Sequence, residues 1–202
     1  PCHLSADWQR CQTPACLEAL SPDRVAMELE TMLQPPAERA KRKKVLLVGV
    51  FDSRSTNISL AEALRINRCD VTVFDYRTIG RRVGQTERDR LLLEQCRRRQ
   101  PDLMVICKGD GIAAATVARC AELTTVALWY MDPMGNFTED LQGRMQRCDF
   151  CCFALPEPCE AARAAGITAF FVHEGFDPLI DRPAAAEGKH EVSFIGALRN
   201  EA

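Results

Sequence analysis

Charged residues and glycines follow two short apolar runs near the middle of the chain. The loop after the first run contains Lys108, Gly109, Asp110 and Gly111, and Asp132 comes after the second run. A carboxylate accepts hydrogen bonds from hydroxyl groups or takes up a proton as a general base, and a lysine neutralises negative charge. These two loops are therefore the first candidates for the functional site of the protein.

Two further groups of polar residues follow other apolar runs. Asp52 and Arg54 come after VLLVGVF, in a loop that feeds a predicted helix, and a helix N-terminus is a natural place for an anion. His173 and Glu174 come after ITAFFV. A single histidine is more often structural than catalytic, but the neighbouring Glu174 keeps open a role in acid–base chemistry.

The aromatic residues Trp129 and Tyr130 come just before Asp132 and allow two interpretations. Their rings could stack on a sugar or nucleoside while the carboxylate binds hydroxyl groups. Alternatively, both rings belong to the core and Asp132 caps the next helix. The sequence favours neither interpretation over the other.

The apolar runs that precede these loops are typical of buried parallel strands. Leu103–Cys107 and Thr125–Trp129 are short, rich in Val, Ile and Leu, and show no polar alternation. Ile112–Leu123 lies between them and has the apolar side of a packed helix. A strand, a helix and a second strand make a βαβ unit, which is almost always right-handed.

The rest of the chain extends this unit into an α/β fold with a doubly wound, mostly parallel, Rossmann-like sheet. The other predicted strands are Val45–Phe51, Asp70–Tyr76, Phe150–Phe153 and Ile167–Val172. The other predicted helices are Ile58–Asn67, Thr86–Arg99 and Glu157–Ala165, and Thr78–Gly84 is predicted to be a loop. The simplest strand order is 2-1-3-4-5-6, which places a ligand crevice between strands one and three.

Nucleotide cofactors of the usual kinds are not supported by the motifs. Only Gly49 is present where a G-x-G-x-x-G fingerprint would lie, and no G-K-[ST] sequence occurs. The basic runs AKRKK at 40–44 and Arg97–Arg99 could bind phosphate or another acidic group, but solvated surface is the preferred interpretation. We expect no cofactor and no nucleic-acid partner.

Composition indicates a globular protein in a reducing compartment. The net charge is −2 and charged residues make up 27% of the 202 residues, so no overall field attracts nucleic acid or an anionic membrane. The eleven cysteines are odd in number and several occupy core positions, as free cysteines do. We therefore expect a cytoplasmic location, with neither a membrane span nor a signal peptide.

The two ends of the chain differ from its middle. Residues 1–44 form an expected N-terminal appendage with one helix over Ser21–Leu33. This segment contains Cys2, His3, Cys11 and Cys16, but their spacing argues against a zinc site, and we predict no bound metal. The main domain is expected over residues 45–182. Residues 183–202 are expected to contain a linker and the first strand of a further domain.

Val45–Leu198 resembles the N-terminal half of a GT-B glycosyltransferase and is most similar to the CgeB-like, spore-maturation-type family. The residues that carry this resemblance are VLLVGVFD, PDLMVICKGDG, LWYMDP, CDFCCFA, FFVHEGFDPLIDRP and VSFIGALRNE, in that order. The last of them resembles the opening strand of the second Rossmann-like domain of that family.

The resemblance implies transfer of a sugar from a nucleotide-sugar to an unknown acceptor. The N-terminal domain would supply the acceptor side of the cleft, and a C-terminal domain of the same protein would hold the nucleotide. A fragment without that second domain would be inactive. The family places no catalytic residue here, so candidates are chosen by their position at strand ends. The catalytic candidates are Asp110, Asp132, His173 and Glu174. The substrate-binding candidates are Asp52, Arg54, Lys108, Gly109, Gly111, Trp129 and Tyr130.

A different class of function is compatible with the same pattern. Flavodoxin-like domains of similar topology bind small ligands or proteins without catalysing a reaction, and a fold alone does not decide function. A second nucleotide-binding domain after Ala202 would favour a transferase, whereas an unrelated domain would favour a binding module. A third hypothesis makes the cysteine-bearing N-terminal segment a metal-dependent docking element.

Overall fold

A computed structural model describes residues 42–53, 55–133, 135 and 137–175, together with two helical positions, Ala26 and Leu29. The strands are β1 (Lys44–Gly49), β2 (Asp70–Asp75), β3 (Leu103–Cys107), β4 (Thr125–Tyr130), β5 (Phe150–Phe153) and β6 (Ala169–Phe171). The helices are α1 (Thr56–Ile66), α2 (Tyr76–Val83), α3 (Gln85–Arg99), α4 (Ala114–Ala121), α5 (Glu139–Met145) and α6 (Pro156–Ala164).

The strands form one sheet in the order β2-β1-β3-β4-β5-β6, and every neighbouring pair is parallel. This confirms the predicted fold class and strand order. The predicted strands, and the four helices predicted over this part, agree with the observed bounds to within two residues at each end. Parallel pairing places the carboxyl ends of all the strands at one edge of the sheet, where the polar loops begin.

Helices cover the two faces of the sheet unequally. From β1 the chain moves outward to β2, and from β2 it crosses back over β1 to β3 and continues the other way. Right-handed crossovers therefore place α1 on one face and the later helices on the other. The later helices pack on alternate strand residues such as Leu46, Met104 and Leu128. Among the helices in the described part of the chain, α1 is the only one that contributes to the cluster around Leu47 and Cys107 on the opposite face.

The predicted loop over Thr78–Gly84 is wrong, because this segment belongs to helix α2. The Asp75 carboxylate caps that helix by accepting hydrogen bonds from the Thr78 N–H and hydroxyl, both at 2.9 Å. Gly84, with φ of 84°, ends it. Glycines and arginines suggest a turn in the sequence, and the capping Asp75 also fits the end of the second strand.

Two helix ends show the local chemistry that is typical of helix caps. The Ser55 hydroxyl accepts a hydrogen bond from the Asn57 N–H at 3.2 Å, so Ser55 is the N-cap of α1. Gly166 follows α6 with φ of 78°, the left-handed geometry expected of a glycine that closes a helix. At both positions the residue type favours the backbone conformation found at a helix end.

The eight cysteines in the described ranges are all free, and five of them are buried. Cys96 on α3 and Cys120 on α4 meet in the core between these helices. Burial raises the pKa of the Cys107 thiol to about 12, so this cysteine behaves as an apolar core residue. None of the helices in the described ranges is long and apolar enough to cross a lipid bilayer.

Several predictions concern residues outside the described ranges. They are Arg54, the cysteine and histidine group at the start of the chain, and the linker and strand expected after residue 182. Within the helix predicted over Ser21–Leu33, the two described positions are helical, and Leu29 is exposed.

Glycine substitutions in two places should change stability in opposite directions. In Gly49→Ala the new methyl carbon would lie 2.6 Å from Asn57 Nδ2, an atom that donates to the Val50 carbonyl at 3.0 Å. We expect this variant to lose about 1–3 kcal/mol because a buried amide must move. In Gly143→Ala, within α5, the methyl carbon would have Ala114 Cβ at 3.9 Å, and the lower entropy of the unfolded chain should stabilise by about 0.4–1 kcal/mol.

Urea denaturation of the native chain and both variants measures these differences in the free energy of unfolding. Equal stability of Gly49→Ala and the native chain would show that the start of α1 does not depend on the close approach of Asn57 to β1.

Candidate functional site

Three of the predicted polar loops meet at the carboxyl edge of the sheet. Asp52 follows β1, the Lys108–Gly111 loop follows β3, and Asp132 follows β4. Because β3 lies between β1 and β4, these loops begin on neighbouring strands about 4.8 Å apart. The structure therefore brings together candidates that are up to 80 positions apart along the chain.

An ion pair joins the ends of β3 and β4. Lys108 Nζ lies 2.6 Å from Asp132 Oδ1, and the two side chains are 30% and 27% exposed. Lys108 has a left-handed backbone, with φ of 61°, and its N–H donates to the Trp129 carbonyl at 2.9 Å. The N-cap of α5 is Thr138.

A buried arginine lies behind the β3 loop. The Arg144 side chain is 2% exposed and forms an ion pair with Asp140, one helical turn earlier in α5. Its Nη1 donates to the Ile112 carbonyl at 3.5 Å, and its Nη2 lies 4.0 Å from Asp110 Oδ1. Within the described residues, Arg144 Nε has no hydrogen-bond partner. The Arg144 guanidinium thus contacts the loop after β3 at Asp110 and Ile112.

A second buried arginine holds the same loop from α3. Arg88 Nη2 donates to the Gly111 carbonyl at 2.5 Å and pairs with the neighbouring Asp89 at 2.6 Å. The other Asp89 oxygen accepts hydrogen bonds from the Ala113 N–H at 2.9 Å and the Thr116 hydroxyl at 3.1 Å. Asp89 therefore caps α4 from another helix, since the N-cap residue Ala113 has no side-chain oxygen.

Sequence reasoning did not identify Arg88 or Arg144. A carboxylate next to Arg88 and another four residues before Arg144 were visible signals of paired charges. Neither signal shows that the guanidinium groups would be buried, because burial depends on the helices that pack around them.

The aromatic residues of β4 belong to the packed interior. Tyr130 is 2% exposed, and its ring meets the edges of Phe137 and Phe153. Trp129 is half-buried and packs with the cluster around Leu47 on the α1 face. Of the two interpretations left open by the sequence, core packing therefore holds for Tyr130, and its ring is not available for stacking on a ligand.

Both tyrosines of the chain have perturbed hydroxyl groups. Burial raises the pKa of Tyr130 to about 12, and the nearby charges of Asp132 and Asp110 act in the same direction. Burial also raises the pKa of Tyr76, followed by the charge of Asp110. The Tyr76 hydroxyl has no hydrogen-bond partner among the described residues. The side chains of Tyr76 and Tyr130 are therefore close enough to the loop after β3 to feel the charge of Asp110, and both remain neutral at ordinary pH.

His173 and Glu174 lie apart from this group. Both are exposed after β6, and the His173 ring meets the edge of Phe171 at 4.5 Å between centroids. The strand order places β6 three strands from β3, which corresponds to about 14 Å. The two candidates therefore do not share one site with Asp110 in this arrangement.

The arrangement offers exposed carboxylate and ammonium groups on a rigid frame. The Asp110 side chain is 64% exposed, and Lys108 and Asp132 are partly exposed beside it. Among the described residues, no group of three His, Cys, Asp or Glu side chains is placed to hold a metal ion. The exposed groups of this site can supply hydrogen bonds, charge and proton transfer to a carboxylate.

Comparison with known proteins finds no family model, no curated protein and no solved structure that matches this chain. A function must consequently be argued from the residues and their geometry.

The Lys108–Asp132 pair should stabilise the carboxyl edge measurably. We expect Lys108→Met and Asp132→Asn each to cost about 1–2 kcal/mol, because each leaves a partly buried charge without its partner. The double variant should cost less than the sum, with a coupling free energy of about 1 kcal/mol. The exposed Arg90–Glu94 pair, 3.0 Å apart, is a matched control and should show weaker coupling, because water screens both charges.

Denaturant titrations of the four members of each cycle give these coupling energies. Equal coupling in the two cycles would show that partial burial does not strengthen the Lys108–Asp132 pair.

Alkaline titration should report the burial of the tyrosines. In the folded protein, less than half of the phenolate absorbance should be present at pH 10, the ordinary pKa of tyrosine, and Tyr130 should reach half-ionisation near pH 12. Because the neutral form is favoured in the folded state, its contribution to stability is complete below pH 10 and is lost between pH 10 and about 12. Tyr130→Phe should therefore lose stability less steeply in that interval.

Ultraviolet absorbance against pH, with circular dichroism to establish that the protein is folded, makes the measurement. Tyr76→Phe assigns the two transitions. Half-ionisation of both tyrosines at pH 10 in the folded protein would contradict their burial.

Proposed function

We propose that this chain forms the acceptor-binding domain of a glycosyltransferase, with the acceptor at the carboxyl edge of β1, β3 and β4. The observation that carries this proposal is the exposed Asp110 carboxylate beside the Lys108–Asp132 ion pair, at the ends of adjacent strands. The order and spacing of the motifs that resemble glycosyltransferases support the same assignment.

In the proposed reaction an acceptor hydroxyl attacks the anomeric carbon of a nucleotide-sugar, and the bond to the diphosphate breaks. The hydroxyl proton passes to a carboxylate, and the diphosphate leaves with its negative charge. Asp110 is the more exposed of the two carboxylates, so it accepts the hydrogen bond that orients the acceptor hydroxyl. Lys108 supplies positive charge near the departing group.

The rigidity of the loop supports a positioning role. Two buried guanidinium groups and the Asp89 cap hold the backbone from Gly111 to Ala113. A carboxylate on a loop held in this way loses little conformational freedom when it binds a ligand, and correct positioning contributes strongly to rate. His173 and Glu174, further along the same edge, would line the cleft toward the donor-binding domain.

Ligand binding is the first test of this function. Thermal unfolding of the protein in its natural length should be measured with UDP-, GDP-, TDP- and CMP-sugars, because a ligand that binds only the folded state raises the midpoint. A shift with one donor supports a transferase and identifies the donor class. No shift with any donor, in a folded protein, would favour a non-catalytic flavodoxin-like binding module.

Substitution of the carboxylates then tests their roles. With the donor identified, Asp110→Asn should reduce turnover on the order of 100-fold, because the acceptor hydroxyl loses its proton acceptor. Its stability should stay within about 0.5 kcal/mol of the native value, since this side chain is largely exposed. Glu122→Gln, an exposed carboxylate at the end of α4, is the control and should leave turnover unchanged. Full activity of both Asp110→Asn and Asp132→Asn would remove the carboxylates from the mechanism.

A further inference from the structure

A polar concavity lies at the opposite edge of the sheet from the candidate site. It is a cavity of about 180 Å³ at the amino ends of β1 and β2, beside the last turn of α3. Its lining residues are Lys44, Val45, Leu46, Asp70, Thr72, Arg98, Arg99 and Pro101. Because strand β1 has six residues, about 20 Å separates this edge from the carboxyl edge.

The charges around this cavity are not balanced within the described structure. Lys44, Arg98 and Arg99 are cationic and Asp70 is anionic, so the lining side chains carry a net charge of +2. Among the described residues, none of the three cations lies within ion-pairing distance of a carboxylate. This local excess contrasts with the net charge of −2 for the whole chain.

The backbone around the cavity is fixed by hydrogen bonds. The Lys44 N–H donates to the Asp102 carboxylate and the Asp102 N–H donates to the Lys44 carbonyl, both at 2.8 Å. The Asp70 N–H donates to the Lys43 carbonyl at 2.8 Å. The α3 helix ends in a left-handed residue, Gln100, directly after the two arginines. The cationic side chains therefore extend from a defined frame, although their own ends are exposed.

We propose that this cavity binds the phosphate group of a small phosphorylated molecule. Guanidinium groups bind phosphate oxygens in pairs of parallel hydrogen bonds, and a lysine adds a compact positive charge. The Thr72 hydroxyl can donate a further hydrogen bond.

Two features of the cavity oppose an anion and limit which one fits. The Asp70 carboxylate repels a phosphate, and the C-terminal carbonyl groups of α3 carry partial negative charge. A ligand must therefore place its phosphate on the Arg98, Arg99 and Lys44 side and turn hydroxyl groups toward Asp70. A phosphorylated polyol satisfies both requirements, because its hydroxyl groups donate hydrogen bonds to the carboxylate.

Titration calorimetry with inorganic phosphate and with ribose 5-phosphate tests this site, using potassium chloride to keep the ionic strength constant. We expect saturable binding of ribose 5-phosphate, at least about ten-fold weaker in the double variant Arg98→Gln/Arg99→Gln. The matched control is Arg81→Gln/Arg82→Gln, which removes two exposed arginines from the last turn of α2, outside the cavity, and should bind as the native chain does.

Each outcome of this experiment decides the proposal. Binding of both probes with equal affinity supports a site for the phosphate alone, and tighter binding of ribose 5-phosphate supports the phosphorylated polyol. Absence of saturable binding, unchanged affinity in Arg98→Gln/Arg99→Gln, or equal weakening in the control overturns it. Circular dichroism and the unfolding midpoint without ligand establish that each variant is folded. The result is independent of sugar transfer, because the variants lie at the other edge of the sheet.

Discussion

The right-handedness of parallel crossovers is the constraint on which the rest of this structure depends. The first strand of the sheet, β1, lies in its interior, β2 is added on one side, and every later strand is added on the other. With one handedness available, this reversal separates α1 from the later helices and leaves an opening between the loops after β1 and β3. The position of the candidate site thus follows from chain order, before any side chain is considered.

Two buried arginines contact the β3 loop beside that opening, and burying their charges is electrostatically unfavourable. Removing a guanidinium from water is unfavourable unless carboxylates and carbonyl oxygens replace the lost hydration. Arg88 obtains these partners from Asp89 and the Gly111 carbonyl, and Arg144 obtains them from Asp140 and the Ile112 carbonyl. Because their partners include the β3 loop, the charges are stable only when that loop is in place. Core packing and loop geometry are therefore coupled.

Charged side chains are arranged differently at the two edges of the sheet. At the carboxyl edge, Lys108 and Asp132 pair directly, and the exposed Asp110 has Arg144 behind it. At the amino edge, basic residues from β1 and α3 surround a cavity without direct partners among the described residues. Paired charges hold a loop rigid, whereas unpaired charges attract a ligand of opposite sign. The same parallel fold thus presents two chemically distinct surfaces.

Local sequence determined the elements of this protein. Runs of Val, Ile and Leu indicate the buried strands, and Ser55 and Gly166 are residue types that favour helix ends, because these effects act over a few neighbouring residues. The helix α2 was missed because its cap, Asp75, also fits the end of a strand.

Tertiary structure decided which side chains are buried and which meet. Tyr130 became a core residue, Asp132 became the partner of Lys108 and His173 was placed three strands from β3. Residues far apart in sequence make these contacts, and they depend on which helix packs above each strand. No local pattern carries that information.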